Sequence, residues 1–255
     1  MFHMRHAVLS VLMTLPLFSV EITSTAQAVN IAGKQRMFTQ RMLKDYAMMG
    51  MENPFGDPKK DLESIMATFE DHLKALEAFA KDDETKAAIA DVRKLWNGVK
   101  TMCAQKPELS KAEKMKASCN ALLKASDKVV KSLVKASGKS NDAIVDLAGR
   151  QRMLSQRMAS LYMLRVWGMQ DPAFQEELKQ AMREFKEAHE KLKASSLNDA
   201  AINAKLQKVE RSFMFFEMMS RSDSKFIPSL IYRKSDEILN TMNDVTHMYE
   251  QKLSK

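Results

Sequence analysis

Residues 30–46 and 146–162 are two versions of one segment, and that repetition limits what the chain can fold into. The first reads Asn-Ile-Ala-Gly-Lys-Gln-Arg-Met-Phe-Thr-Gln-Arg-Met-Leu-Lys-Asp-Tyr, the second Asp-Leu-Ala-Gly-Arg-Gln-Arg-Met-Leu-Ser-Gln-Arg-Met-Ala-Ser-Leu-Tyr. Nine of 17 positions are identical and five more are conservative exchanges. The offset of 116 persists outside the segment: Met66, Phe69 and Leu76 match Met182, Phe185 and Leu192, and Val129 matches Val245. A constant offset across a half indicates duplication of a whole folding unit, so both halves must adopt one architecture.

Each half carries four helical patterns. The first spans about 30–51 and stops at the breaker cluster Asn53-Pro54-Phe55-Gly56-Asp57-Pro58. The next three place apolar residues three and four apart: Leu62, Ile65, Phe69, Leu73 and Leu76; then Ile89, Val92, Trp96 and Val99; then Met115, Cys119, Leu122, Val129 and Leu133. Seven Gly and six Pro are few for 255 residues, and Ala, Lys, Met, Leu and Glu favour helix almost everywhere. Short loops favour antiparallel neighbours. The expected fold is all-α: eight helices in two tandem four-helix bundle units related by a pseudo-two-fold axis, the first over 29–138 and the second over 139–255. If the segment 137–142 turns the chain back, with Ser140, Asn141 or Asp142 as cap, the two motif helices run parallel. A continuous fourth-to-fifth helix is the competing arrangement.

The N-terminus reads as an export signal. Arg5 and His6 precede an apolar-rich run from Ala7 to Val20, and Ala26-Gln27-Ala28 offers a small-x-small cleavage site. A signal peptide over 1–28 is expected, an uncleaved anchor being the alternative, and the run is shorter than the ~20 residues of a membrane span. The folded part is thus expected in the periplasm. Export also bears on Cys103 and Cys119, an even pair in an oxidising compartment. A disulfide between them is favoured over two buried thiols, and closing so short a loop would contribute roughly 3 kcal/mol.

The formal net charge of +8 raises the question of nucleic acid, but the lysines are spread among Glu and Asp along helix faces, and export argues against it. In the repeated segment the charge is better placed. Ala32, Gly33, Arg36 and Gln40 share one side of a helix. Gly33 permits close approach, and Arg36 presents a planar fork of donors suited to planar oxyanions. Arg41 points to another sector, where pairing with Asp45 is expected; Leu161 replaces that Asp in the second half. Arg36 and Arg152, with Gly33, Gly149, Gln40 and Gln156, form the candidate ligand set, and a small oxyanion is the expected partner. The competing reading gives both arginines to structural ion pairs with Glu or Asp.

These segments resemble the P-box of nitrate/nitrite sensor kinases of the NarX type and the N-terminal domain of the pilus chemotaxis transducer PilJ, whose pattern runs Asn-x-Ala-Gly-x-x-Arg-Met-x-Ser-x-Arg. The resemblance implies a periplasmic four-helix sensor bundle. It further implies one anion held between two motif helices by the first Arg of each, here Arg36 and Arg152. The Gln-Arg-Met form is that of the pilus-transducer branch, whose ligand the resemblance does not fix. The 255 residues contain no second apolar span, kinase or signalling segment, so action through a membrane-bound chemoreceptor or sensor kinase is expected. A structural or partner-binding bundle without a small ligand is the alternative.

Other constellations carry less. Met48, Met49 and Met51, and Met214, Met218 and Met219, are soft ligands in principle, but at helical spacing Met fills cores. His72, His189 and His247 lack a second His at ligand spacing. No metal, cofactor or catalytic grouping is expected. Phe213-Met214-Phe215-Phe216-Glu217-Met218-Met219 is too apolar for one buried stripe, so part of it is expected either on a partner surface or between the bundles.

Overall fold

Ser24 opens the first helix, its hydroxyl accepting from the Gln27 amide at 3.2 Å, a cap worth about 1 kcal/mol. The computed structural model describes residues 20–138, 142–221 and 227–253. Within them run α1 (Thr25–Gly50), α2 (Pro58–Phe79), α3 (Asp83–Cys103), α4 (Ala112–Ser137), α5 (Asp142–Trp167), α6 (Phe174–Lys193), α7 (Ala200–Arg221) and α8 (Pro228–Leu253). A single 3-10 turn, Leu109–Lys111, leads into α4. The fold is all-α, in two tandem four-helix units.

Local chemistry explains the boundaries. Asp57 in the left-handed region caps α2, and Pro58 supplies the first helical residue, where its missing N–H is no loss. Asp82 accepts from Thr85 N at 2.8 Å to open α3. Gly138 ends α4 at φ 62°, so α4 and α5 are separate helices. Of the residues expected to cap α5, Ser140 and Asn141 lie outside the described residues and Asp142 is the first residue of the helix; the apolar run from Ala7 up to residue 19 also lies outside them. Val20 and Ile22 pack against the core, and Ala28 is fully buried. The folded unit therefore starts before the small-x-small triplet, which is itself helical.

Ion pairs and hydrogen bonds set the directions. Arg41–Asp61 and Gln35–Phe69 O run α1 against α2, and Arg36–Asp127 runs α1 against α4. Arg93–Glu77 and Lys135–Glu84 close the ring through α3. The second half repeats this at the same offset: Arg157–Glu177, Gln151–Phe185 O and Arg152–Asn243. Each unit is up-down-up-down. The units join through α1 and α5, which lie parallel: Gly33 meets Arg152 near one end, and Tyr46 and Gly50 meet Trp167 at the other.

Because α1 is enclosed by α2, α4, α5 and α8, it is buried almost all round, unlike the one-sided outer helices. Its Arg, Gln, Thr, Lys and Asp side chains must therefore find partners inside the protein. A Cβ on Gly50 would fall inside the Trp167 indole. Gly50→Ala is accordingly expected to cost about 1–3 kcal/mol, read as a lower urea midpoint at constant slope; an unchanged midpoint would show that these helix ends do not pack closely.

Cys103 and Cys119 are separate buried thiols, not the expected disulfide. Both face the apolar core, and burial pushes Cys103 up to about 12 and Cys119 well above the ordinary thiol range. Short spacing in sequence did not translate into facing sulfurs.

Candidate functional site

The first arginines of the two motif segments are brought together at the centre of the α1–α5 contact, both almost wholly buried. A Cβ built on Gly33 would lie 3.3 Å from Arg152 Nη2 and 3.5 Å from Arg36 Nη2; on Gly149 the distances are 3.0 and 3.5 Å. Two guanidinium ends thus occupy the space that the glycines leave open, and a Cβ at either position would press on Arg152 while only touching Arg36.

Their surroundings are equivalent in position and unequal in charge. Arg36 Nη1 donates to Asp127 Oδ1 at 2.7 Å, and Nη2 to Asp146 Oδ1 at 2.5 Å. Arg152 Nη1 donates to Asn243 Oδ1 at 3.1 Å, and Nη2 to the Asn30 carbonyl at 3.4 Å. Asn243 and Asn30 are the 116-offset counterparts of Asp127 and Asp146. One arginine has two carboxylates; the other, among the described residues, has no ion pair. The Nε of each lacks a hydrogen-bond partner. Burial and then the neighbouring Arg36 push Arg152 down to about 9. Burial would raise Asp127, but Lys131 and Arg36 hold it below the usual carboxylate range. His72, buried beside Lys34 and Arg152, is pushed down to about 4.

The candidate glutamines lie one turn further on. Gln40 Nε2 reaches Asn120 at 3.4 Å, and Ser160 Oγ donates to Gln40 Oε1 at 3.3 Å across the two halves. Gln156 Nε2 donates to the Ser235 carbonyl at 3.1 Å. Both tie helices together beside the arginine pair. A groove of about 570 Å³ between α4, α5 and α6 reaches inward to Arg36, with Asp127, Lys131 and Arg150 on its walls.

Arg41 does not pair with Asp45. It pairs with Asp61 of α2, Nε to Oδ2 at 2.7 Å, and Arg157 pairs likewise with Glu177, so both halves share this contact. Asp45 is left fully buried with neither carboxylate oxygen meeting a donor. Burial and the adjacent Asp61 raise it well above the usual carboxylate range, against Lys44 and Arg41. Lys44, also fully buried, crosses to Asp236 at 2.8 Å and lies over the Tyr232 ring. The sequence reading missed Asp127, Asp146, Asn30 and Asn243 as partners; the Asn30/Asp146 exchange opens the motif itself and aligning the halves beyond it shows Asp127/Asn243, though not what they touch. The two motif tyrosines, Tyr46 and Tyr162, each accept an amide hydrogen bond from a distant loop, at Glu108 and Ile227.

These features define a class: a duplicated helical bundle whose two motif helices lie side by side and bring two arginines together. The family model described as type IV pili methyl-accepting chemotaxis transducer N-term (PilJ) matches residues 19–122 and again 133–214, and the chain belongs to that family in two tandem copies. No curated protein and no solved structure matched the chain.

Proposed function

We propose that this protein is a periplasmic sensor-type component that holds one small oxyanion between Arg36 and Arg152 and acts on a membrane-bound chemoreceptor or sensor kinase. The halves are read as related by a pseudo-two-fold axis passing between the arginines. Membership of a transducer sensory family supports a binding role rather than catalysis, and no described helix is long and apolar enough to cross a membrane.

The observation that carries the proposal is Arg152. A buried guanidinium with no ion pair among the described residues, beside a second guanidinium and only partly compensated by the more distant Glu250 and Asp146, is expensive, and an anion there offsets both penalties. Because Asp127 and Asp146 already serve Arg36, the ligand leans toward Arg152 rather than sitting equally between the two. A monovalent planar anion such as nitrate or nitrite suits the fork and the net charge, in keeping with the likeness to nitrate sensors.

Calorimetric titration of nitrate, nitrite and other small anions tests this reading. One anion per chain is expected. Arg152→Gln should remove a charge-assisted contact worth about 1.5–3 kcal/mol, weakening binding by roughly ten- to over a hundredfold, with Arg36→Gln weakening it less. Equal affinity in parent and variants, or two independent sites, would remove the shared site. The two ion pairs of Arg36 favour the alternative, a structural bundle that acts on its receptor without a small ligand. Binding of no anion by the parent, in a screen that includes thermal shift, would establish that alternative.

A further inference from the structure

Beyond the arginine pair, α1 carries a buried cluster whose charges do not balance. Two cations, Arg41 and Lys44, meet three carboxyl groups: Asp45 of α1 itself, Asp61 of α2 and Asp236 of α8. Arg41 engages both oxygens of Asp61, and Lys44 donates to Asp236. Asp45 is fully buried with no donor to either oxygen, and its carboxyl lies within hydrogen-bonding reach of Asp61. Two carboxylates so close and so far from water do not both stay ionised.

The duplication supplies the contrast. Arg157 and Glu177 repeat the Arg41–Asp61 pair. Lys116 takes the place of Tyr232 and pairs with Asp171 and Glu177, while Ser160, Leu161 and Asn120 stand for Lys44, Asp45 and Asp236. Two cations there meet two carboxylates, and that cluster is neutral as it stands. The first half has one carboxyl more than its cations can serve.

We infer that Asp45 holds a proton that it donates to Asp61, and that losing this proton draws Lys44 away from Asp236 and loosens α8 from α1. The groups facing Asp45 are Arg41 and Lys44 of α1, Asp61 of α2, Tyr232 of α8 and the thiol of Cys103 on α3, which lies near Cys119 of α4. Of the cations, Lys44 acts on Asp45 most strongly. An ionised, fully buried Asp45 without a donor is costly, and Lys44, itself fully buried, can relieve it only by giving up Asp236. Because Lys44 belongs to the first half and Asp236 to the second, their contact is linked to proton concentration. Asn30 still ties α1 to Glu250 at the far end of α8. The inference is independent of the anion site.

An NMR titration of isotope-labelled aspartate carboxyls in the full chain tests the proton, and a double-mutant cycle tests its consequence. Asp45 should titrate well above the other aspartates, and Asp45→Leu should remove that transition. Urea midpoints of Lys44→Met, Asp236→Asn and the double variant should give a coupling worth roughly tenfold in the unfolding constant below the Asp45 transition and none above it. In an Asp45→Asn background, where an amide donates to Asp61 in place of the acid, the coupling should persist on both sides. Overturning results are an Asp45 that titrates with the ordinary carboxylates, one that keeps its proton to the alkaline limit of folding, or a coupling unchanged across the transition.

Discussion

Methionine in place of Arg36 will destabilise the protein, whereas methionine in place of Arg152 will stabilise it in buffer free of small oxyanions. The two positions are equivalent in the duplication, so opposite signs can come only from their partners. Removing Arg36 leaves Asp127 and Asp146 without their buried cation. Breaking a buried pair costs about 3–5 kcal/mol; both carboxylates are close to 30% exposed and Asp127 keeps Lys131, so a loss of about 2–3 kcal/mol is expected here. Removing Arg152 deletes a buried charge with no ion pair and relieves Arg36, a gain of about 1–3 kcal/mol.

The pH dependence follows from the same contrast. Arg152 is lowered to about 9 in the folded protein, so above that pH the unfolded chain binds more protons and stability rises with pH. The advantage of Arg152→Met should therefore be full below pH 9 and shrink above it. Urea midpoints for the parent and both variants at pH 7 and 10 measure all of this. Shifts of the same sign would show that the two arginines sit in equivalent environments.

Asp45→Leu is the second substitution with a large expected effect. The counterpart of Asp45 is Leu161, itself buried in the core, so the bundle already accommodates leucine at the equivalent place. Asp45 is raised well above 3.8 by burial and by Asp61. Its contribution to stability is thus fully present below the unfolded pKa and is lost as pH rises from 3.8 through the folded value. Near neutral pH a buried carboxyl remains that leucine would replace without desolvation, for a gain of about 1–3 kcal/mol. Thermal melts between pH 3 and 7 should show the variant's advantage growing with pH. A pH-independent difference would mean that Asp45 does not titrate abnormally.

The helices and the duplication were legible because they rest on local rules. Spacing of three and four, Pro58 after Asp57, and the offset of 116 all lie along the chain. The position of Arg36 and Gly33 on one side of α1 was legible for the same reason. What Arg36 touches was not, since Asp127 is 91 residues away and Asp146 is 110, and only the docking of α4 and α5 onto α1 brings them in. Arg41 failed differently: Asp45 is one turn away on the same helix, but Asp61 on the neighbouring helix offers two oxygens to the planar fork. The thiols failed because nearness in sequence does not fix the register of two helices. The start of α1 was concealed by composition, since small residues suit a cleavage site and a tightly packed helix equally well.

Near its start, α1 is held to α8 by Asn30, which donates to Glu250 at 2.6 Å. In the duplicated scheme α8 stands to α1 as α4 stands to α5. A peptide segment joins α4 to α5, while α1 and α8 are the first and last of the described helices. The circuit of these eight helices therefore has no privileged starting point. A polypeptide that began with α5, passed from α8 into α1 and finished at α4 would trace the same eight helices, and the order of the two halves in sequence is one of two equivalent ways of threading a closed circuit.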